Sequence, residues 1–366
     1  MNKVDPINNN ENIVPVGLFS ILWVLALTSV FLYLVMHLFG NEIFVGWVSL
    51  LFMSATPFQI MMAIIWHNSV PKPLETMAQP LKGILLTAMF FIASVIVTPI
   101  LFFTVGQGML TPILIHFVIQ SVVVSLFVFI AFGCWPISQF SQNPIVLGIG
   151  TLIYCYVLNY ALFMLFYDYA FFENLPFYSQ SLDPKGLFNG ITAVTFAVTC
   201  ASMLMIASMF EMWPIPQLLK SSNQAILGAA STITILLLAG LVYYVFVNRL
   251  AMDPMDFMVK GPVSIIFGTF LVQNMMQFQL FSDLQQPLKG LVKTLICLIS
   301  AFLMYQLYQF SLPLLTGEAL IAGPEHGYAK EIWIATAMLG VTFPVINFVS
   351  GAFEFWPVKR GQKRQN

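Results

Sequence analysis

A few neutral amides, two carboxylates and one histidine carry most of the chemistry that this otherwise apolar chain offers. Gln59 and Gln273 stand in matching contexts, Gln59-Ile60-Met61-Met62 and Gln273-Asn274-Met275-Met276, with Gln277 one turn beyond the second. An amide presents a donor and an acceptor without formal charge, so Gln59, Gln273, Asn274 and Gln277 are candidates to line the path of a neutral or weakly polar solute. The same groups also suit bonds between membrane helices, worth about 0.6 to 2 kcal/mol each. His116 and Gln120 are one helical turn apart and share a face, which adds them to the candidate path.

Glu211 and Glu354 occupy equivalent places, each two residues before a Trp-Pro pair. At the end of a helix a carboxylate faces the negative end of the dipole, which disfavours its charged form. Two readings follow: an inner gate with a proton or cation site, or an interfacial ion pair with a lysine such as Lys220, Lys289 or Lys359. Metal and catalytic chemistry find no support. His37, His67 and His326 complete no ligand spacing with His116, and Cys134, Cys155, Cys200 and Cys297 form no Cys-x-x-Cys pair. The sequence has no phosphate-binding loop, nucleophile elbow or catalytic carboxylate pair, so the expectation is a non-enzyme without a cofactor.

The elements that must position these residues are membrane helices. The chain is 59% hydrophobic and 8% charged, with mean hydropathy +0.88, against about 25% charged residues in a soluble domain. A net charge of −1 gives no basic excess for nucleic acid. Crossing a hydrocarbon core takes roughly 20 apolar residues. Runs of that size predict about ten helices, over 16–39, 45–66, 83–105, 109–133, 144–167, 187–211, 224–247, 261–281, 290–312 and 331–355. The first run lacks a signal-peptide cleavage site and reads as a retained helix. Alternate loops divide the 14 Lys and Arg residues unequally, with Lys185, Arg249, Lys260 and Lys330 on one side and the others on the side of the termini. The positive-inside rule then places both termini in the cytoplasm, in a plasma (inner) membrane.

Punctuation recurs at the helix ends. Phe132-Gly133-Cys134-Trp135-Pro136, Phe210-Glu211-Met212-Trp213-Pro214 and Phe353-Glu354-Phe355-Trp356-Pro357 close three runs, and Gln79-Pro80-Leu81-Lys82-Gly83 and Gln286-Pro287-Leu288-Lys289-Gly290 open two others. Trp suits the headgroup level, and Pro after it stops the helix. Matching Gln-Pro-Leu-Lys-Gly to its copy pairs helices 1–4 with helices 7–10, a parallel pseudo-twofold repeat flanking the hairpin of helices 5 and 6. The organisation expected is an N-terminal tail (1–15), a first four-helix repeat (16–136), a central hairpin (137–216), a second four-helix repeat (217–357) and a basic tail (358–366). An all-α protein of this kind, with scarce amides and no catalytic set, suggests a transporter or channel for a small neutral or weakly polar solute. The alternative is a non-catalytic subunit or scaffold of a membrane complex. Partners would be membrane lipids, a second copy or other membrane subunits.

Overall fold

The computed structural model describes residues 13–175, 178–276 and 280–358. Gln277, most of the basic tail and most of the N-terminal tail lie outside them. Among the described residues, 9 helical runs are long and apolar enough to cross a membrane. The first, Val14–Ile64, holds 51 residues, more than twice what one crossing needs. It breaks at Gly40, whose φ of 81° and ψ of 174° are not helical. We label the two parts α1 (Ile13–Ile43) and α2 (Ser49–Ile64), with a π turn, Phe44–Val48, leading into α2. Then follow α3 (Leu81–Thr104), α4 (Pro112–Ala131), α5 (Pro144–Phe166), α6 (Gly190–Met209), α7 (Gln224–Arg249), α8 (Pro254–Met275), α9 (Leu288–Thr316) and α10 (Ala329–Ala352).

Helix starts are set by local chemistry. Asn143, Asn189, Asn223 and Asp253 each accept backbone N–H groups from the first turn of the helix they precede. Such caps satisfy donors that a helix leaves orphaned. Pro112, Pro144 and Pro254 sit in first turns, where a missing N–H costs nothing. Among the described residues the β structure is one two-residue parallel pair, β1 (Tyr167–Asp168) with β2 (Phe188–Asn189), joining the end of α5 to the start of α6.

Burial separates the helices into two layers. In α4, α6, α8 and α10, 61–72% of the apolar window is buried, against 22–28% in α3, α5, α7 and α9. Buried residues likewise crowd α2. The even helices touch in the cyclic order α2, α4, α6, α8, α10 and back to α2. Each odd helix lies over the groove between two of them: α3 over α10 and α2, α5 over α2 and α4, α7 over α4 and α6, α9 over α6 and α8, and α1 over α8 and α10. The outward faces carry exposed Leu, Ile and Phe, such as Leu237, Phe302 and Phe310.

One kind of contact fixes this arrangement. The end of each even helix presses a large side chain against a glycine near the start of the odd helix three places further on, counting cyclically. A Cβ on Gly83 would lie 2.4 Å from the Phe353 ring, on Gly290 2.3 Å from Phe210, and on Gly228 2.5 Å from Phe132. Gly148 meets Trp66 and Met61 in the same way, and Gly17 meets Met276 and the carbonyl of Met275. Three of these docks are also tied by an amide: Gln79 donates to the Ala352 carbonyl, Gln286 to that of Met209 and Gln224 to that of Ala131, at 2.9, 3.1 and 3.2 Å. Between α2 and α5 the donor changes sides, with Trp66 Nε1 reaching the Pro144 carbonyl at 2.8 Å.

The pressed side chain is aimed by a shared backbone turn. After Trp66, Phe132, Phe210 and Phe353 come two residues with positive φ: His67 and Asn68, Gly133 and Cys134, Glu211 and Met212, Glu354 and Phe355. A non-glycine residue there costs on the order of 1 kcal/mol or more, so the turn persists because the docked partner holds it. Replacing Gly290 by Ala should therefore overpack the Phe210 dock and cost about 1–3 kcal/mol. Thermal unfolding of the purified protein should show it as a lowered midpoint. Gly240→Ala, where nothing lies within 4 Å, should leave the midpoint close to that of the parent protein.

Candidate functional site

Inside the ring, the five even helices enclose a cavity of about 70 Å³. Its wall takes residues from every one of them, including Met53 from α2, Leu126 from α4, Ala201 from α6, Phe270 from α8 and Phe343 from α10. Thr56 is the one polar lining residue, and its hydroxyl donates to the Phe52 carbonyl of its own helix. Phe270 and Phe343 meet edge to face, with ring centroids 4.4 Å apart. The axis is therefore narrow, uncharged and apolar in this conformation.

The candidate amides stand beside this axis and bond neighbouring inner helices together. Gln59 donates to the Pro344 carbonyl at 3.1 Å and accepts from Asn347 at 3.3 Å, joining α2 to α10. Gln273 donates to Ser208 Oγ and Met209 Sδ, joining α8 to α6. In both cases the amide reaches the inner helix that precedes its own in the ring. Asn274 donates to the Phe270 carbonyl one turn back. Neither Gln59 nor Gln273 lines the axial cavity.

His116 and Gln120 do share a face of α4, but their surroundings differ. His116 Nδ1 lies 3.0 Å from the Tyr169 hydroxyl, inside an aromatic group with Phe163 and Tyr167. Gln120 lines a second, larger cavity to the side of the ring. His37 turns back onto the Tyr33 carbonyl of α1.

Both glutamates are in ion pairs that reinforce docks. Glu354 meets Lys82 at 2.6 Å and Glu211 meets Lys289 at 2.5 Å, so each pair couples the end of an inner helix to the start of the outer helix it presses on. The α4–α7 dock has Gly133 in that place and relies on Gln224 alone. Lys289 was a foreseeable partner of Glu211; Lys82 was not singled out for Glu354. The Lys289 ammonium beside Glu211 holds its carboxyl below the ordinary glutamate range. Sequence reasoning also passed over Glu331, which reads as an outer-loop acid. It is only 4% exposed, accepts the Gly323 N–H with one oxygen and leaves the other unpartnered at the start of α10. Its place at a loop end carries no sign of burial.

Compared with known protein families, curated proteins and solved structures, the chain matches none. The arrangement itself therefore carries the functional argument.

The ion pairs give an asymmetric expectation. The Lys82 side chain is 8% exposed and that of Glu354 56%, so losing the carboxylate strands a buried ammonium, while losing the lysine frees a carboxylate that water can reach. Removing one partner of a buried pair is the costly change. Glu354→Gln should lower the melting midpoint more than Lys82→Met. For Glu211, a carboxyl lowered by folding contributes stability that is fully present above the unfolded glutamate pKa of about 4.3 and is lost as pH falls through the lowered value. Melting curves between about pH 6 and about pH 3, which bracket that pKa, should show a smaller acid-side decline in Glu211→Gln than in the parent.

Proposed function

We propose that this integral membrane protein is a transporter or channel for a small neutral or weakly polar solute, with its conduit along the axis of the inner helices. The observation that carries the reading is the axial cavity, to which all five even helices contribute. A lining without charge suits an uncharged solute, because an ion there would lose its hydration without a partner. An apolar constriction can close a pore by excluding water. Four inner helices contain or are entered by π turns, Phe44–Val48, Phe127–Ala131, Val259–Val263, and Thr336–Thr342 with Phe348–Ala352. Such turns often mark functional sites in helices.

The repeat belongs to the same reading. Five hairpins, α1–α2 through α9–α10, related by rotation about the membrane normal, would place equivalent residues at equivalent docks. The likeness of the first four helices to the last four is then a displacement by three hairpins, which carries Lys82 to Lys289 and Trp135 to Trp356. With the Trp-Pro ends of the even helices on the cytoplasmic side, both termini are cytoplasmic and the lysine-rich loops follow the positive-inside rule. The setting would be a plasma (inner) membrane.

A scaffold is the second reading, favoured by the engagement of Gln59, Gln273 and Asn274 in bonds to helix neighbours. Flux separates the two. In proteoliposomes tested by stopped-flow with glycerol and urea, the Phe270→Ala, Phe343→Ala double variant should raise permeation at least about tenfold, the effect of about 1.4 kcal/mol on a barrier. Retained melting behaviour with unchanged permeation would sink the conduit and leave the scaffold.

A further inference from the structure

A cavity of about 710 Å³ opens on the side of the ring between α5 and α7, floored by α4 and α6. It runs from Phe132 and Trp135 near the Trp-Pro end to Phe166, Tyr167 and Phe188 at the opposite end, so it extends along the length of the helices. This volume falls in the range of small-molecule sites, roughly 300–1,000 Å³. A groove facing lipid would ordinarily be filled by passing acyl chains. Its walls carry something that acyl chains cannot satisfy. Gln120 Oε1, Tyr167 Oη and Thr232 Oγ1 are all buried without a hydrogen-bond partner, and all three residues line the cavity.

The position of these groups narrows the occupant. Gln120 is 5% exposed and lies eight residues into α4, roughly 12 Å below its start at 1.5 Å per residue. His116, one turn nearer that start, contacts Tyr169, whose ring stacks at 6.2 Å on Tyr167. Tyr167, the first residue past α5, marks one end of the cavity, and Gln120 stands deeper along α4, well inside the span. A glycerolipid or sterol keeps its polar head at the interface, too shallow for Gln120. None of the lining residues is charged, so nothing would hold a phosphate. Tyr154, Phe166, Phe188, Phe196 and Tyr243 supply aromatic faces for a planar ring.

We propose that this cavity binds a lipid of the isoprenoid quinone class, a neutral planar ring bearing carbonyl or hydroxyl oxygens on a long apolar tail. The Gln120 amide N–H and the Tyr167 hydroxyl donate to ring carbonyls, Gln120 Oε1 accepts from a hydroxyl when the ring is reduced, and the tail runs along α4 toward Phe132 and Trp135. Thr232 faces the same cavity from α7 and offers a further hydroxyl. The site is separate from the ring axis, so it stands or falls independently of the conduit.

The test is a titration of the full-length protein in phosphatidylcholine nanodiscs with a decyl-tailed benzoquinone, read by quenching of tryptophan fluorescence, since Trp135 lines the cavity. Saturable quenching is expected, weakened at least about tenfold by Gln120→Leu, a loss near 1.4 kcal/mol. Ala197→Phe, which fills the cavity from α6, should abolish it, and this variant decides the matter if Gln120→Leu does not fold. Extraction of the protein purified from its native membrane should release about one quinone per chain if the site is a single one. Linear quenching unaffected by either variant would mean quinone merely dissolved in the bilayer, and would overturn the proposal. Recovery of phospholipid alone would also overturn it.

Discussion

Everything in this fold depends on a large side chain meeting a glycine at close range. Helices already dissolved in lipid gain little from hiding apolar surface from each other, so close packing and hydrogen bonds decide how they associate. Here Phe132, Phe210, Phe353 and Trp66 each sit where a Cβ would be, against Gly228, Gly290, Gly83 and Gly148. Each contact joins an inner helix to an outer helix that is not its sequence neighbour. Linked head to tail, α2 to α5, α6 to α9, α10 to α3, α4 to α7 and α8 to α1, the contacts close on themselves. A chain of local constraints becomes a ring.

The ring then dictates where polar chemistry can stand. Inner helices face one another across a narrow axis whose lining is apolar apart from Thr56. Polar groups are displaced outward into the seams, where Gln59 and Gln273 bond the adjacent inner helix and Lys82 and Lys289 meet Glu354 and Glu211. Between α5 and α7 a lateral cavity opens, and three of its lining residues, Gln120, Tyr167 and Thr232, carry buried polar atoms without a partner.

Much of the helical architecture was legible in the sequence because apolar run length maps onto membrane thickness. The predicted spans 144–167 and 224–247 fall almost on α5 and α7. The turns that close three of the even helices were also visible, as Phe-x-x-Trp-Pro. Their partners were not. Gln-Pro-Leu-Lys-Gly flagged two receiving glycines, but Gly228 follows Gln224 without the proline or the lysine, and Gly148 and Gly17 have no such preface at all. Trp66 takes the place of a phenylalanine, and Val70-Pro71 comes one residue later than the Trp-Pro pairs. The geometry is satisfied by different residues, so identity at two docks suggested a repeat of four helices where the contacts form a series of five. For the polar residues, position along a span was readable but the direction each side chain takes was not. The lateral cavity left no trace in the pattern, since its lining is ordinary apolar helix except for Gln120 and a few hydroxyls.

The most direct test of this account is a density map of the purified protein in nanodiscs, viewed along the membrane normal. It should show five inner helices in a ring, each outer helix over the groove between two of them, with the end of α8 seated on the start of α1 at Gly17. Two four-helix bundles on either side of a separate hairpin, with Gly17 away from Met276, would contradict it.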